Sequence, residues 1–362
     1  MKLRTIVREA FLNITTGSTR LAVFASVLAA VITVLAGAEV ETIASIDERA
    51  REFRDSGGST VIYRMEAGID GAACDRLREL PGVSATGAVR RREAGESAAA
   101  LPDQQIPTFD ISPGFGGFRA LGNPHASDGV LISEDAAGTL GVGWGRRLPL
   151  TEARPPISGT FTYPADGRQP GYGYAILSPT DTRAAFDECW VECWPLSDDV
   201  LAILPTALLP GAAAEKGPGA QGPRLQQLNA SRGTHFDGAM QFANRISRFA
   251  PAIALLAGAT LGFIATSGRK LELAAALHAG VTRGAQALHV VIEAGAWALA
   301  SLTLALPPLA MLITETDGSP AAPLIVVAAR VAVAAASGTL IGASAAVFTV
   351  KERHLFTYFK TR

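Results

Sequence analysis

Four stretches of the chain run without a charged residue for about the length of a membrane's hydrocarbon core. They cover positions 21–38, 249–268, 294–314 and 331–350, rich in Leu, Val, Ala and Ile. A helix needs about 20 apolar residues to cross some 30 Å of hydrocarbon. The pattern therefore predicts four transmembrane helices, placed at 21–40, 249–268, 288–314 and 331–350. A buried helix in a soluble protein is the bland alternative, and four repeats of the same length weigh against it.

The residues flanking these stretches set an orientation. Lys2, Arg4, Arg8 and Arg20 precede the first, Arg269, Lys270 and Arg283 follow the second, and Lys351, Arg353, Lys360 and Arg362 follow the fourth. Basic residues favour the cytoplasmic side, so both termini and the segment 269–287 are expected there. The block 41–248 and the loop 315–330, which carries Glu315 and Asp317, are expected outside. Arg245 and Arg248 run against the rule, a mild conflict because long translocated domains often disregard it. Before the first span, Ile6, Ala10, Phe11 and Ile14 recur at helical spacing. That predicts an amphipathic helix over 1–20 on the inner membrane surface. Ala36-Gly37-Ala38 also fits a signal-peptidase site, and cleavage there would leave three spans.

Between spans one and two the pattern changes to that of a soluble α+β domain. The alternation in STVIYRME reads as a strand, DGAACDRLREL as a helix capped by Asp70, and PGVSATGAV as a turn and a second strand. VLISEDAAGTLGVGWGRRLPL reads as strand, helix, glycine turn, strand, and GTFTYP and GYGYAILSP as two more strands. GAAAEKGPGAQGPR is a linker or loop. The polar segment after it is expected to turn helical and to run continuously into span two.

The cysteines are Cys74, Cys189 and Cys193, all in the predicted outer domain, where disulfides persist. They are candidates for one bond with one thiol left over. A local Cys189–Cys193 pair and a long-range bond from Cys74 to either remain open. A metal site would need more ligands: Glu188 and Glu192 are near, but no His accompanies them. Trp190 and Trp194 beside the cysteines fit either a core or an exposed partner patch. His125 and His235 stand alone.

Composition narrows the function classes. Of 362 residues, 48% are hydrophobic and 18% charged, with a formal net charge of −1, so no basic field points to nucleic acid. G-x-x-x-x-G-K-[ST], H-E-x-x-H, G-x-S-x-G and C-x-x-C are all missing from the sequence. No catalytic site, cofactor or metal is expected of this chain, and an outer-domain enzyme would need a convergent acid or metal cluster made by the fold.

The most informative segment is GRKLELAAALHAGVTRGAQALHVVIEAG, between spans two and three. Arg269, Glu272, Gly280 and Arg283 match R-x-x-E-x-x-x-x-x-x-x-G-x-x-R, with Glu293 following. On these residues, and on the layout of one span, a large outer domain and three spans, the chain resembles the permeases of MacB/FtsX-like ABC transporters. The leader and the VLISEDAAGTLGVGWGRRLPL passage are similar to the family's as well. LHAG replaces the usual Leu-Arg-Ala-Leu-Gly core, and the end of span four departs from the family's common form.

The resemblance implies a bacterial plasma-membrane protein that dimerises with itself or a sister permease, contacts membrane lipid and docks a cytosolic ABC ATPase. The ATPase-coupling residues would be Arg269, Glu272, Gly280, Arg283 and Glu293. The work implied is export of a peptide, lipid or drug by mechanotransmission. The alternative is an FtsX-like regulator that controls an extracytoplasmic protein, such as a cell-wall hydrolase, without transport. Without the family, 269–287 still reads as a short amphipathic helix closed by Gly280, and Glu293 as an ionisable residue near a helix end.

Overall fold

The computed structural model describes residues 8, 12–13, 20–125, 128–212, 222–316 and 318–352. Most of the expected N-terminal helix over 1–20, of the tail 351–362 and of the Gly/Pro linker lies outside these residues. The chain divides into two compact units, one made of Met1–Glu48 with Gly238–Arg362, the other of Arg49–Asp237. In chain order the helices are α1 (Leu21–Asp55), α2 (Gly71–Arg76), α3 (Glu134–Leu140), α4 (Asp198–Ile203), α5 (Gly238–Asn244), α6 (Ala250–Ser267), α7 (Lys270–His278), α8 (Arg283–Glu315) and α9 (Ala321–Thr349). The strands are β1 (Thr60–Ile69), β2 (Val83–Arg91), β3 (Glu96–Ala98), β4 (Leu101–Ile106), β5 (Thr108–Ile111), β6 (Val130–Ser133), β7 (Ile157–Phe161), β8 (Ile176–Pro179), β9 (Phe186–Cys193) and β10 (Arg224–Gln227).

Among the described residues, four helical stretches are long and apolar enough to cross a membrane: α1, Ile246–Ser267 with α6 inside it, α8 and α9. Two differ in extent from the charge-free runs. α1 continues past residue 40 to Asp55 because ETIASIDERAREFRD holds good helix formers and no Gly or Pro; Gly57, at φ +96°, closes the turn that follows. α9 starts at Ala321 rather than at residue 331, so the expected loop 315–330 is much shorter and Arg330 is an exposed helical residue. Pro323 is tolerated in its first turn, where N–H groups have no intrahelical partner.

Helix packing in this unit is closest between α6 and α9. Gly258 and Gly262 face Ala335, Thr339 and Ala343, and Gly338 and Gly342 face Leu255 and Ala259. Both pairs have G-x-x-x-G spacing, and the contact positions rise together along the two helices, so the helices run parallel with their backbones touching. α1 lies against α8: Phe24 and Trp297 have ring centroids 5.7 Å apart, and Gly37 abuts Leu312.

The expected unbroken helix into span two does not form. α5 ends at Asn244, Arg245 is extended (φ −62°, ψ 134°), and a 3-10 turn over Ile246–Phe249 leads into α6 with Pro251 in its first turn. The break turns Arg245 onto Glu39 of α1. Its Nη2 lies 2.8 Å from Glu39 Oε1, with both side chains buried. The charge that conflicts with the flanking pattern is thus neutralised inside its own unit.

The other unit is built on a mixed eight-stranded sheet of order β10-β1-β9-β2-β5-β8-β6-β7, with β3-β4 as a separate pair. The expected β-α-β unit is split: β1 and β2 are parallel but separated by β9, which pairs antiparallel with both. Asp70 caps α2, accepting from the backbone N–H groups of Ala72 and Ala73. Val61, Tyr63, Met65, Cys189, Val191 and Cys193 point to one face, packed with Leu77 near α2 and with Val200 and Leu204 at α4. Ile62, Val89, Phe109 and Trp190 point to the other, where Phe115, Phe118 and Tyr172 close the core. The strand expected at the end of VLISEDAAGTLGVGWGRRLPL is only a pair of isolated bridges, Arg147 to Pro156 and Leu150 to Ala98.

Cys74 and Cys189 form a disulfide across the first face, tying α2 to β9, and Cys193 is a free, buried thiol in the same cluster. Trp190 is core, whereas Trp194 lies among Phe53, Phe236 and Arg54. Glu192 is fully buried. Its Oε2 accepts the Arg119 backbone N–H at 2.9 Å, while Oε1 has no partner among the described residues.

Burial pushes the Glu192 carboxyl above its ordinary value, against the pull of the Arg119 N–H and the nearby Arg54 and Arg119 guanidinium groups. The folded unit therefore holds this proton more tightly than the unfolded chain. Its contribution favours folding at low pH and is lost as pH rises from the ordinary carboxylate range through the raised value, then stays flat. Glu192→Gln is expected to flatten that slope and to raise stability at neutral pH. Urea unfolding of the full chain, followed by tryptophan fluorescence from pH 4 to 8, reads both (a pH range set by the ordinary carboxylate value of about 4.3); an unchanged slope would contradict it.

Candidate functional site

The corner between α6 and α8 gathers a cluster of ionisable residues of the helical unit. Gly268 ends α6, Arg269 follows as the N-cap of α7, and Glu272 sits in the first turn of α7, where negative charge suits the helix dipole. The Arg269 guanidinium grips Glu272 as a two-pronged fork, Nε to Oε2 at 2.8 Å and Nη2 to Oε1 at 2.6 Å. Its third arm, Nη1, donates to Oε2 of Glu293 in α8. Arg269 thus links an exposed carboxylate, Glu272 at 55%, to a buried one, Glu293 at 5%.

Glu293 is held from its other side as well. Its Oε1 lies 2.9 Å from His289 Nε2, one helical turn earlier, and accepts from Asn13 Nδ2 at 2.9 Å. A carboxylate in an apolar helix is costly unless its lone pairs are satisfied, and Arg269, His289 and Asn13 satisfy these. A cavity of about 110 Å³ opens beside the cluster between α7 and α8, and a smaller one of about 20 Å³ lies on the α6 side, reaching Trp297.

α7 has two further ties. Gln286 of α8 donates Nε2 to the Leu273 carbonyl at 2.8 Å, and His278 Nδ1 lies 2.9 Å from Glu352. Gly280 closes the helix. At φ +85° its N–H reaches the Leu277 carbonyl and the Val281 N–H the Ala276 carbonyl, the paired bonds of a Schellman cap. Thr282 then caps α8 by accepting from Ala285 N–H, and Arg283 is the first, exposed residue of that helix.

Of the residues singled out in the sequence, Arg269, Glu272 and Glu293 come together as one cluster. Gly280 closes the turn and Arg283 begins the next helix, and among the described residues the Arg283 side chain makes no bond to the cluster. Arg269 points inward to Glu293 rather than to open water. The buried side of α7 is Leu273 and Ala274, whereas Ala275 and His278 are exposed. His289 and Gln286 escaped the sequence reading, although His289 stands four residues before Glu293, the spacing that brings side chains together on a helix.

No family model matches the chain, and no curated protein matches it in sequence. Among solved structures, it is similar to the periplasmic region of MacB from Actinobacillus actinomycetemcomitans. The match covers 50% of this chain and 94% of that one, at 9% identity and a TM-score of 0.34. At that distance the likeness assigns no family.

Proposed function

We propose that this chain is the membrane-spanning permease subunit of an ABC-type transporter of MacB/FtsX-like layout, and that α7 is the element a cytosolic ATPase engages. One observation carries the reading. α7 is a nine-residue helix fastened to α8 through Arg269–Glu293 and Leu273–Gln286, yet Lys270, Glu272, Ala275 and His278 leave one side of it exposed. A short helix fixed at its base and exposed on one face is suited to receive a push and pass it on. The flanking basic residues Arg269, Lys270 and Arg283 favour a cytoplasmic position for it.

In this reading, ATP is hydrolysed in a separate subunit, because the chain has no phosphate-binding loop of the G-x-x-x-x-G-K-[ST] kind. Movement of α7 passes to α8 through the Arg269–Glu293 pair and to α6 through the Gly268–Arg269 corner. The close contact of α6 with α9 carries it across the helical unit. The subunit works as a dimer with itself or a sister permease, and expels an amphiphilic cargo such as a peptide, lipid or drug by moving its extracytoplasmic domain.

Ala275→Trp separates docking from folding, because Ala275 is exposed and takes no part in the cluster. The substitution is expected to lower the amount of ATPase that co-purifies with the tagged chain at least tenfold, with the chain's own melting temperature unchanged. Glu272→Lys, which also breaks the fork with Arg269, is expected to act in the same direction. Undiminished ATPase recovery with Ala275→Trp would remove α7 as the docking element.

A further inference from the structure

We propose that the α/β unit carries a binding site for a small amphipathic anion, a carboxylate or phosphate attached to an apolar or aromatic body. The site is a cavity of about 390 Å³ over β10, β1, β9, β2 and β5, walled on one side by the loop through Gln169–Tyr172. That volume falls in the range of small-molecule sites. It lies wholly in the α/β unit, so the inference is independent of the permease reading.

The floor is aromatic. Phe109 and Tyr172 stack with centroids 4.3 Å apart, and Val89 and Pro170 extend the apolar surface. Beneath them Glu188, only 4% exposed, organises the polar side. Its Oε2 accepts from Tyr172 Oη at 3.0 Å and from Trp190 Nε1 at 2.8 Å, and its Oε1 pairs with Arg64 Nη2 at 2.7 Å. The other acid at the rim, Asp187, accepts backbone N–H groups from Ala67 and Arg91. Both carboxylates are therefore hydrogen-bonded, and the charge of Glu188 is paired by Arg64.

Of the basic groups around the cavity, Arg64 is only partly engaged and Arg91 has no side-chain partner among the described residues. Arg90 and Arg92, on either side of Arg91, are tied to Asp110, and Arg92 also to Glu96. Arg91 lines the cavity, and its guanidinium has no hydrogen-bond partner among the described residues. Arg64 gives one arm to Glu188 and keeps the remainder of its fork at the cavity wall, with its side chain 52% exposed. Two guanidinium groups facing a stacked aromatic floor match an acid group on an apolar body: guanidinium binds carboxylate or phosphate in a planar fork, and the rings take the rest.

The test uses the full chain in detergent, with binding read by calorimetry. N-acetyl-phenylalanine and phenyl phosphate serve as probes, N-acetyl-phenylalaninamide and inorganic phosphate as controls. At least one probe is expected to bind saturably, the amide and bare phosphate each at least tenfold more weakly than that probe. Arg91→Ala, which breaks no bond in the fold, is expected to weaken the probe at least tenfold, with Arg91→Lys recovering part of the loss.

Dihexanoyl phosphatidate distinguishes the source of the anion. Tighter binding than either probe would support a lipid headgroup as the occupant, weaker binding a soluble acid. No saturable binding of any acid, equal binding of acid and amide, or an unchanged Arg91→Ala affinity would overturn the proposal.

Discussion

Replacing Gly342 by leucine is expected to abolish recovery of the folded protein from membranes, and Gly342→Ala to cost about 3 kcal/mol, the upper part of the usual range for overpacking. A Cβ on Gly342 would overlap the backbone of Ala259, and one on Gly338 that of Leu255; from the other helix, a Cβ on Gly258 would come within 3.0 Å of the Thr339 backbone nitrogen and closer still to the Ala335 carbonyl. The neighbour in each case is backbone, which cannot rotate away as a flexible side chain would. In a membrane, where lipid tails are as apolar as the side chains, close packing and backbone approach are what hold helices together. Gly295 of α8 is the internal control, since among the described residues a Cβ there meets nothing within 4 Å. Gly295→Ala is expected to be neutral or mildly stabilising. Recovery from membranes checks Gly342→Leu, thermal unfolding of the purified Gly342→Ala and Gly295→Ala variants checks the ranking, and equal stability of those two would contradict it.

Removing the Cys74–Cys189 disulfide is expected to destabilise the α/β unit by about 4 kcal/mol, within the 2–5 kcal/mol typical of native disulfides. The bond closes a sequence separation of 115 residues, and a crosslink over so long a loop strongly restricts the unfolded chain. It also joins α2 to β9, the strand at the centre of the split β-α-β unit, so its loss releases the helix cover of one face. The double variant Cys74→Ser/Cys189→Ser, in a Cys193→Ala background that prevents mispairing, is compared with Cys193→Ala alone by urea unfolding. A lower midpoint, with a steeper dependence on urea because the unfolded chain is no longer held together, would report the lost crosslink. No shift would mean that the face is held by Leu77, Val200 and Leu204 without the bond.

Some of this architecture could be read from residue order alone, and the reasons for the failures are physical. The alternation of STVIYRME survives as β1, and Asp70 caps a helix as its type and place suggest. β9 was not legible because both its faces are buried, which erases alternation, and its acids Glu188 and Glu192, weighed there only as metal ligands, are buried and hydrogen-bonded by partners distant in sequence. The break at Arg245 depends on Glu39, distant in sequence, so a polar helical run looked continuous. The choice among cysteine pairings needed the register that sets Cys189 beneath α2.

At the candidate site, Arg269, Glu272 and Glu293 were singled out by the resemblance to the MacB/FtsX-like motif. Their joining into one cluster follows from the Gly268–Arg269 corner, and His289 and Gln286 enter through the face that α8 presents to α7. The paired G-x-x-x-G runs of α6 and α9 are plain in the sequence. What the sequence could not say is that they face each other.

The central claim is that α7 is gripped by an ATPase, and a photo-crosslinking residue in place of Ala275, activated in native membranes, tests it most directly. The account predicts one dominant adduct, a phosphate-binding-loop ATPase, identified by mass spectrometry and lost when the crosslinker is moved to the buried Ala274 position. Adducts to lipid alone, or to a protein without nucleotide-binding motifs, would contradict it.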